Sequence, residues 1–299
     1  VKVQFLLGHD MPWAKQGYPQ FEEQLLVASP SVAAPAISQV AENAGKLEVS
    51  ADADKAFQTI KGEGFEVQFD MKQGTINKLV YGGESVIVPG YGPRLNAFRA
   101  FVSNDNWCYQ PWFANGLHNL KHRAENAQVI KEKNGNVKIT CTVVSQAPNA
   151  ARLQSKNGRY DSGIHTLEEN TDRPFGADDF KFTTNQIWTV YPDGSIELQA
   201  AITSNNPAIV LARLGYEMGV PAQYDRFAYY GRGPVDNYND RKTGQFIEQF
   251  SSTVAEQFTN WPKPMQMGNH EETRWTYLSN AKGKESLVVN AKPYAVFAL

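Results

Sequence analysis

Residues 185–204, NQIWTVYPDGSIELQAAITS, decide the fold class. Trp188 and Val190 alternate with polar residues before a Tyr-Pro-Asp-Gly turn sequence, and Ile196 and Leu198 resume the alternation after it. A period of two residues puts successive side chains on opposite faces of a strand, and Pro-Asp-Gly favours a tight turn. The stretch therefore predicts a β-hairpin with one buried face.

The same period recurs on both sides of this hairpin. Phe65, Val67 and Phe69 alternate with polar residues, as do the apolar residues of NVKITCTVV at 136–144. A 3.6-residue period is not sustained over any long stretch, and TVAEQFTNW at 253–261 predicts one short helix at most. We therefore expect an all-β fold, a large antiparallel sandwich of short strands.

Composition excludes several classes of protein. The chain has 299 residues, a net charge of −2, and is 41% hydrophobic and 20% charged. This balance offers no basic footprint for nucleic acid and no charge-driven membrane attachment. The sequence has no run of about 20 apolar residues such as a membrane span needs. The two cysteines, Cys108 and Cys141, are expected to be buried, unreactive thiols.

Composition also divides the chain. Residues 1–27 read as two strands and a loop, the end of a small β domain. Residues 28–46 are rich in Ala, Ser and Pro and are expected to be a linker. The large domain is expected to span residues 47–299. The strand-like start at Val1 and apolar end at Leu299 suggest a fragment truncated within longer domains.

Several catalytic motifs are not found in this sequence. The glycines of the GRGPVDN stretch do not match a phosphate-binding loop, and there is no Gly-x-Ser-x-Gly nucleophile sequence. His118 and His122 are four residues apart but lack the glutamate of a zinc-protease helix. Asp178 and Asp179 offer a weak candidate for a divalent ion, since such ions take carboxylate oxygens.

A first polar cluster lies in residues 95–113, LNAFRAFVSNDNWCYQPWF. Arg99 precedes Asn104, Asp105, Asn106 and Trp107. Planar polar groups beside an aromatic ring suit a sugar, whose hydroxyls need hydrogen bonds and whose C–H face stacks on a ring. The alternative is a turn in which Asn and Asp bind their own backbone.

A second cluster is YYGRGPVDNYNDRKTG at 229–244. Its glycines are expected to permit unusual backbone conformations, and Arg232 could donate a fork of hydrogen bonds to a carboxylate or a sugar. The alternative is a rigid loop held by ion pairs of Asp236 or Asp240 with Arg241.

A third cluster is MQMGNHEETRW at 265–275. His270 beside Glu271 and Glu272 could form an acid–base pair, because imidazole titrates near neutrality. Neighbouring strand residues face opposite ways, however, so a packing role for the segment is favoured.

The second and third clusters together resemble the C-terminal part of the β-galactosidases of glycoside hydrolase family 2. Those enzymes carry Gly-x-Gly-Pro-x-Glu-Asn-Tyr-x-Asp-Arg, followed by an Asn-Gly or Gly-Asn turn and an Arg-Trp or Arg-Glu strand. FRAFVSNDN at 98–106 is similar to their Arg-Ala-Pro-x-Asp-Asn-Asp segment. PWAKQGYPQFEEQLL at 12–26 is similar to the end of their second immunoglobulin-like domain.

The resemblance implies a fold and a chemistry. The fold would be a galactose mutarotase-like β-supersandwich, preceded by the end of an immunoglobulin-like sandwich. The chemistry would be the retaining hydrolysis of terminal β-D-galactose by two glutamates. In the family these glutamates, with Mg or Na, belong to an upstream (β/α)8 barrel, so we expect no catalytic residue and no metal ligand in this chain. The stacking tryptophan of the family would follow residue 299.

Three departures from the family pattern weaken direct ligand binding by these loops. Asp236 replaces Glu, Asn239 replaces Pro, and Met267 replaces Glu. The second cluster is therefore expected to seat the domain on the barrel, with Arg232 and Tyr238 as anchors. The residues predicted to bind substrate or form the interface are Arg99, Asn104, Asp105, Asn106, Trp107, Arg232, Asp236, Asn237, Tyr238, Asp240, Arg241, His270 and Arg274.

Expected partners are the barrel and other domains of a parent enzyme, which could be homo-oligomeric, and galactoside sugars, but neither nucleic acid nor a membrane. The compartment stays open between bacterial cytoplasm and periplasm. Two alternative functions remain. A free-standing aldose 1-epimerase would use His165 or His270 with a facing glutamate. A carbohydrate-binding module would stack sugar on Trp107, Trp112 or Trp275.

Overall fold

The computed structural model of the chain describes residues 1–27, 45–155, 165–261, 266–283 and 285–298. Most of the predicted linker, residues 28–44, lies outside these ranges. The strands are β1 (Lys2–Leu6), β2 (Pro19–Gln24), β3 (Glu48–Ala51), β4 (Phe57–Gly62), β5 (Phe65–Asp70), β6 (Thr75–Tyr81), β7 (Glu84–Ser85), β8 (Arg94–Asn96), β9 (Lys121–Lys131), β10 (Val137–Gln146), β11 (Asn149–Ser155), β12 (His165–Pro174), β13 (Phe182–Val190), β14 (Ile196–Ser204), β15 (Gly215–Glu217), β16 (Arg226–Gly233), β17 (Phe246–Thr253), β18 (Asn269–Ser279) and β19 (Glu285–Ala298). The helices are α1 (Tyr109–Ala114) and three 3-10 turns, Ser103–Asp105, Leu117–Asn119 and Ala255–Gln257.

The strands assemble into antiparallel sheets. One sheet runs β3-β4-β5-β6-β7 in sequence order, a second has the order β14-β13-β10-β9, and a third has the order β17-β16-β18-β19. Two-stranded ribbons join β1 to β2, β8 to β15 and β11 to β12. The predicted all-β antiparallel fold is confirmed. The immunoglobulin-like character of residues 1–27 and the domain boundaries remain predictions.

The hairpin predicted at 185–204 is formed by β13 and β14. Trp188 lies opposite Leu198 and Val190 opposite Ile196. In the turn, the Tyr191 N–H donates to the Ser195 carbonyl at 2.9 Å. Gly194 has a φ of +87°, a backbone conformation that side-chain-bearing residues rarely adopt. The Tyr-Pro-Asp-Gly sequence therefore sets the register of the pair.

The main core lies between the β3-β4-β5-β6-β7 sheet and the β14-β13-β10-β9 sheet. The apolar residues of the alternating segments meet there, with Val67, Phe69 and Ile139 at 0–1% exposure and Trp188 at 3%. The rings of Phe69 and Trp188 are edge to face at 5.8 Å. Full burial of each such side chain stabilises the fold by about 1.5–3 kcal/mol before conformational entropy is subtracted. The sandwich predicted from periodicity is therefore the structural centre of the chain.

A smaller core surrounds α1, which the sequence pattern did not predict. Trp112 and Phe113 of α1 are buried against Leu95 and Phe182. Pro111 is tolerated because it occupies the first turn, where backbone N–H groups have no helical partner. This helix fixes the base of the loop that carries the first polar cluster.

The β1–β2 hairpin contacts β17, which is an edge strand of the third sheet. The Gln24 side-chain amide donates to the Ile247 carbonyl at 2.9 Å and accepts from the Ile247 N–H at 2.9 Å. Lys2 lies 3.9 Å from the Glu248 carboxylate. One side chain thus pairs with the edge as a neighbouring strand would.

Two further expectations concern the cysteines and membranes. Cys108 and Cys141 are buried free thiols, as predicted. Burial raises the pKa of Cys141 to about 11, so this thiol stays protonated at neutral pH. In the described part of the chain, no helix has the length and apolar character to cross a membrane.

Candidate functional site

The second cluster begins where β16 ends, and its glycines are needed for close packing. A Cβ on Gly231 would lie 2.8 Å from Thr273 Oγ1 and 3.0 Å from Thr273 Cα. A Cβ on Gly233 would overlap the Tyr229 hydroxyl. Neither glycine has a positive φ. The expectation that they permit unusual backbone conformations is therefore wrong: they let β18 and Tyr229 approach the strand.

Asn237 holds the loop against β18. Its side chain is fully buried. Its Nδ2 donates to the carbonyls of Arg232 at 2.9 Å and Val235 at 3.1 Å, and its Oδ1 accepts from the Glu271 N–H at 2.8 Å. The Asn237 N–H donates in turn to the Asn269 carbonyl at 2.7 Å. Asn237 uses nearly its whole hydrogen-bonding capacity inside the protein, so its place is structural.

Arg232 is also bound inside the protein. Its Nε donates to Glu272 Oε1 at 2.8 Å, and its NH1 donates to the Gln245 carbonyl at 2.7 Å and the Lys242 carbonyl at 3.3 Å. Glu272 is a non-glycine residue with a φ of +52°, within an irregular section of β18. This irregularity aims the Glu272 carboxylate at Arg232. The predicted anchor thus fixes its own loop, and its interface role remains a proposal.

Tyr238 and Arg241 close a four-residue turn whose corner carries the exposed Asp240. The Arg241 N–H donates to the Tyr238 carbonyl at 2.8 Å, and the guanidinium lies over the rings of Tyr238 and Trp261 at 5.4 and 5.0 Å. The Asp236–Arg241 pair that the sequence suggested is present at 3.1 Å.

Buried polar atoms without partners accompany this turn. Among the described residues, Asp236 Oδ2 and the Tyr238 hydroxyl have no hydrogen-bond partner. Burial, then the Asp236 charge, raises the pKa of Tyr238 to about 12, so the phenol is neutral at physiological pH. An unsatisfied buried polar atom costs about 1–3 kcal/mol, so this turn is held in place by the surrounding structure.

His270 is fully buried and in contact with aromatic rings. The ring of Tyr229 lies 4.2 Å away. Nδ1 lies 3.2 Å from the Arg232 carbonyl and Nε2 lies 2.5 Å from the side-chain amide of Gln257. Burial lowers the pKa of His270, which favours the neutral ring, and each ring nitrogen faces an oxygen of the protein, the Arg232 carbonyl or Gln257 Oε1. The buried ring therefore presents no face to a substrate.

The other members of the third cluster are also paired. Glu271 lies 3.6 Å from Lys242, and Arg274 donates to the Glu272 carbonyl and lies over the Tyr230 ring at 5.7 Å. His270 and the two glutamates therefore do not combine as an acid–base pair, which disfavours the epimerase alternative. His165 lies beside Phe101, with ring centroids 5.3 Å apart.

In the first cluster, Arg99 and Asp105 form a nearly buried ion pair. NH1 and NH2 of Arg99 donate to the two Asp105 oxygens at 2.6 and 3.1 Å, and the guanidinium lies over the Trp112 ring at 5.6 Å. Asp105 also accepts from the Val102 N–H at 2.7 Å. This matches the turn alternative, in which an aspartate binds its own backbone.

Three of the residues predicted to bind substrate in the first cluster face solvent. Asn104 and Asn106 are exposed, and Trp107 is 70% exposed. Trp112 is 1% exposed and its Nε1 donates to the Val210 carbonyl at 2.7 Å. Stacking of a sugar on Trp112 is therefore wrong, and Trp275 is partly buried beside Tyr230. Only Trp107 of the three predicted platforms offers an open ring face.

The β8–β15 ribbon brings Arg213 to the first cluster. Gly215 pairs with Asn96, so Arg213 and Arg99 leave the ribbon at the same end. Arg99 and Tyr238 are close enough to Arg213 to affect its pKa. Burial is the main cause that lowers the pKa of Arg213, and the positive charge of Arg99 lowers it further. Sequence reasoning missed Arg213. Its one signal is a lone cation in the apolar run IVLARLGY at 209–216.

The weak candidate for a divalent ion is occupied by protein groups. Asp179 accepts from Arg173 at 2.9 Å and from the Gly176 N–H at 2.8 Å. Within the described ranges, no group of three or more His, Cys, Asp or Glu residues is arranged to hold a metal ion.

The fold and these clusters define an all-β module whose conspicuous charged side chains mainly bind one another. The family of β-galactosidase small chains matches residues 61–299, and the chain belongs to that family.

Individual relatives of the chain are named β-galactosidases. The chain is 25% identical over 300 residues to a β-galactosidase of Priestia megaterium, covering 98% of this chain and 25% of that protein. It is 23% identical to β-galactosidase BgaC of Bifidobacterium adolescentis, covering 100% of this chain and 26% of the relative. A β-galactosidase of Kluyveromyces lactis is 21% identical, with 96% of this chain and 24% of the relative covered. The chain thus spans about a quarter of the length of these relatives.

Proposed function

We propose that this chain is a non-catalytic part of a β-galactosidase, which packs on the catalytic barrel and helps to form the galactoside-binding site. The family match over residues 61–299 carries the proposal, because it ties the chain to β-galactosidases. The parent enzyme would hydrolyse terminal non-reducing β-D-galactose with retention, using two glutamates of the barrel.

The state of the carboxylates supports a non-catalytic role. Retaining hydrolysis needs two carboxyl groups about 5–5.5 Å apart on either side of the scissile bond. In the clusters predicted from sequence, Asp105 binds Arg99, Asp236 binds Arg241, and Glu272 binds Arg232. Each of these carboxylates is engaged by an arginine of its own loop or of the neighbouring strand, and not by a partner carboxyl group facing a common cleft.

A proton NMR time course of the 299-residue chain with lactose and freshly dissolved α-galactose tests the non-catalytic role. We expect no release of galactose and no acceleration of anomer interconversion. Release of galactose would overturn the proposal, because it would place a catalytic pair in this chain. Faster interconversion would overturn it in favour of an epimerase.

The accessory role is tested with the complete reading frame that encodes this chain. The complete protein is expected to hydrolyse o-nitrophenyl β-galactoside. Removal of the 299 residues should abolish hydrolysis, and the separately purified chain should restore it. Full activity of the shortened protein would contradict the accessory role.

A further inference from the structure

Arg213 is a partly buried cation without an anion. It lies two residues before β15, and no hydrogen bond or ion pair joins its guanidinium to any other described residue. Elsewhere the arginines of the two clusters have partners, as Arg232 has in Glu272 and Arg99 has in Asp105. A guanidinium withdrawn from water without a directly bound partner carries a desolvation cost that distant charges offset only in part.

The groups around Arg213 do not neutralise it. Arg99 is a like charge, already bound through both nitrogens to Asp105. Glu217 attracts Arg213 from a distance, but its carboxylate binds Arg94 at 3.4 Å and Asn96 at 2.7 Å. Tyr238 contributes a neutral phenol whose buried hydroxyl has no partner among the described residues. The position therefore favours an anion from outside the described residues.

Exposed apolar residues are close in the sequence to the members of this group. Leu214 follows Arg213, Trp107 lies two residues after Asp105, and Val235 precedes Asp236, with 47%, 70% and 53% exposure. An arginine among exposed aromatic and aliphatic residues is the composition typical of the centre of a protein–protein contact.

We propose that Arg213 binds a carboxylate side chain, Asp or Glu, of the polypeptide on which this chain packs in the parent enzyme. The inference rests on the proposed accessory function and names the chemistry of its contact. A carboxylate matches the planar fork of the guanidinium and neutralises its charge, which a sugar hydroxyl cannot do. Trp107, Leu214 and Val235 would exclude water around the pair.

Arg213→Met tests the first half of the inference on the 299-residue chain. Methionine keeps an unbranched apolar side chain and removes the charge. We expect the melting temperature to stay the same or rise, because no internal anion is lost and the repulsion with Arg99 disappears. Arg123→Met, which removes an exposed arginine of β9 paired with Glu125, is the matched control. A clear fall for Arg213→Met alone would overturn the inference, since Arg213 would then support the fold.

The second half is tested by the affinity of the chain for the separately purified remainder of the parent protein. Arg213→Met is expected to weaken binding by at least about tenfold, because it leaves a buried carboxylate unpaired. Arg123→Met should bind like the unmodified chain. Unchanged binding by Arg213→Met would overturn the inference and leave the accessory role standing. Failure of the unmodified chain to bind the remainder would overturn both.

Discussion

The loop of the second cluster and the end of the β8–β15 ribbon both present arginine beside aromatic rings, yet they differ in their hydrogen bonds. In the loop, Arg232 has a carboxylate and two carbonyls as partners. At the ribbon end, Arg213 has burial without a partner among the described residues. A polar residue whose hydrogen bonds all lie inside the chain supports the fold. A half-buried charged residue without an internal hydrogen bond can instead bind a partner molecule.

This difference separates two uses of the same residue type that sequence composition cannot distinguish. Substitutions in the loop should damage the stability of the isolated chain. Substitutions at the ribbon end should leave stability intact and damage binding. The predictions below test this division.

Asn237→Ala should have the largest effect. It removes three side-chain hydrogen bonds and leaves buried backbone groups unpaired, so we expect a loss of about 3–5 kcal/mol in the free energy of unfolding. Urea unfolding of the chain measures it. Asn239→Ala, at an exposed position two residues away, should stay within about 0.5 kcal/mol. Equal effects at the two positions would contradict the claim that the internal hydrogen bonds of Asn237 support the fold.

Arg232→Met should cost about 2–3 kcal/mol in the same measurement, because it leaves the Glu272 carboxylate and two carbonyls without their donor. Arg213→Met is the control at the other region, where no cost is expected. If the two substitutions destabilise the chain equally, the number of internal hydrogen bonds does not distinguish an arginine that supports the fold from one that binds a partner.

Mild acid should weaken the loop region through its buried histidine, and the sandwich through His122. Burial lowers the pKa of His270, and burial with the charge of Arg94 lowers that of His122 to about 4. In the unfolded chain both titrate near 6.5. The unfolded state therefore binds more protons as pH falls below 6.5, and native stability declines until the folded pKa is passed.

His122 alone should contribute roughly 1.5 kcal/mol of this loss between pH 6.5 and 5. Urea unfolding at these pH values gives the slope. His122→Asn, which can keep the hydrogen bond to Ser145, should remove that share of it. A slope unchanged by this substitution would mean that His122 titrates normally in the folded chain.

Trp107→Ser should have the smallest effect on stability, within about 0.5 kcal/mol, because the ring is exposed. In the association assay with the remainder of the parent protein, the same substitution should weaken binding. Val254→Ser, at another surface apolar position of 36% exposure, serves as the control. Loss of stability without loss of binding would move Trp107 to the fold-supporting group.

Much of the sandwich could be predicted because its signal is local. Trp188 and Val190 alternate with polar residues and precede a turn sequence, so twenty consecutive residues are enough to predict the hairpin. Helix α1 was missed because six residues span fewer than two turns, too short for a 3.6-residue period to appear.

The contacts of the site were predictable only where the partners lie close together in the sequence. The Asp236–Arg241 pair spans five residues and was expected. The Arg232–Glu272 pair spans 40 residues and depends on an irregularity in β18, so no sequence motif predicts this pairing. Arg213 meets Arg99 only because Gly215 pairs with Asn96 across the ribbon, and nothing local to either residue encodes that pairing.

Gln24 gives the β17 edge a protection that a regular strand would not. An edge strand with free N–H and C=O groups can recruit a second molecule and start aggregation. The Gln24 side chain binds both the N–H and the C=O of Ile247, so these two groups are not free to pair with a strand of a second chain. A side chain with one amide cannot extend the sheet further, and growth ends there. The hairpin of residues 1–27 thereby covers one position of the β17 edge.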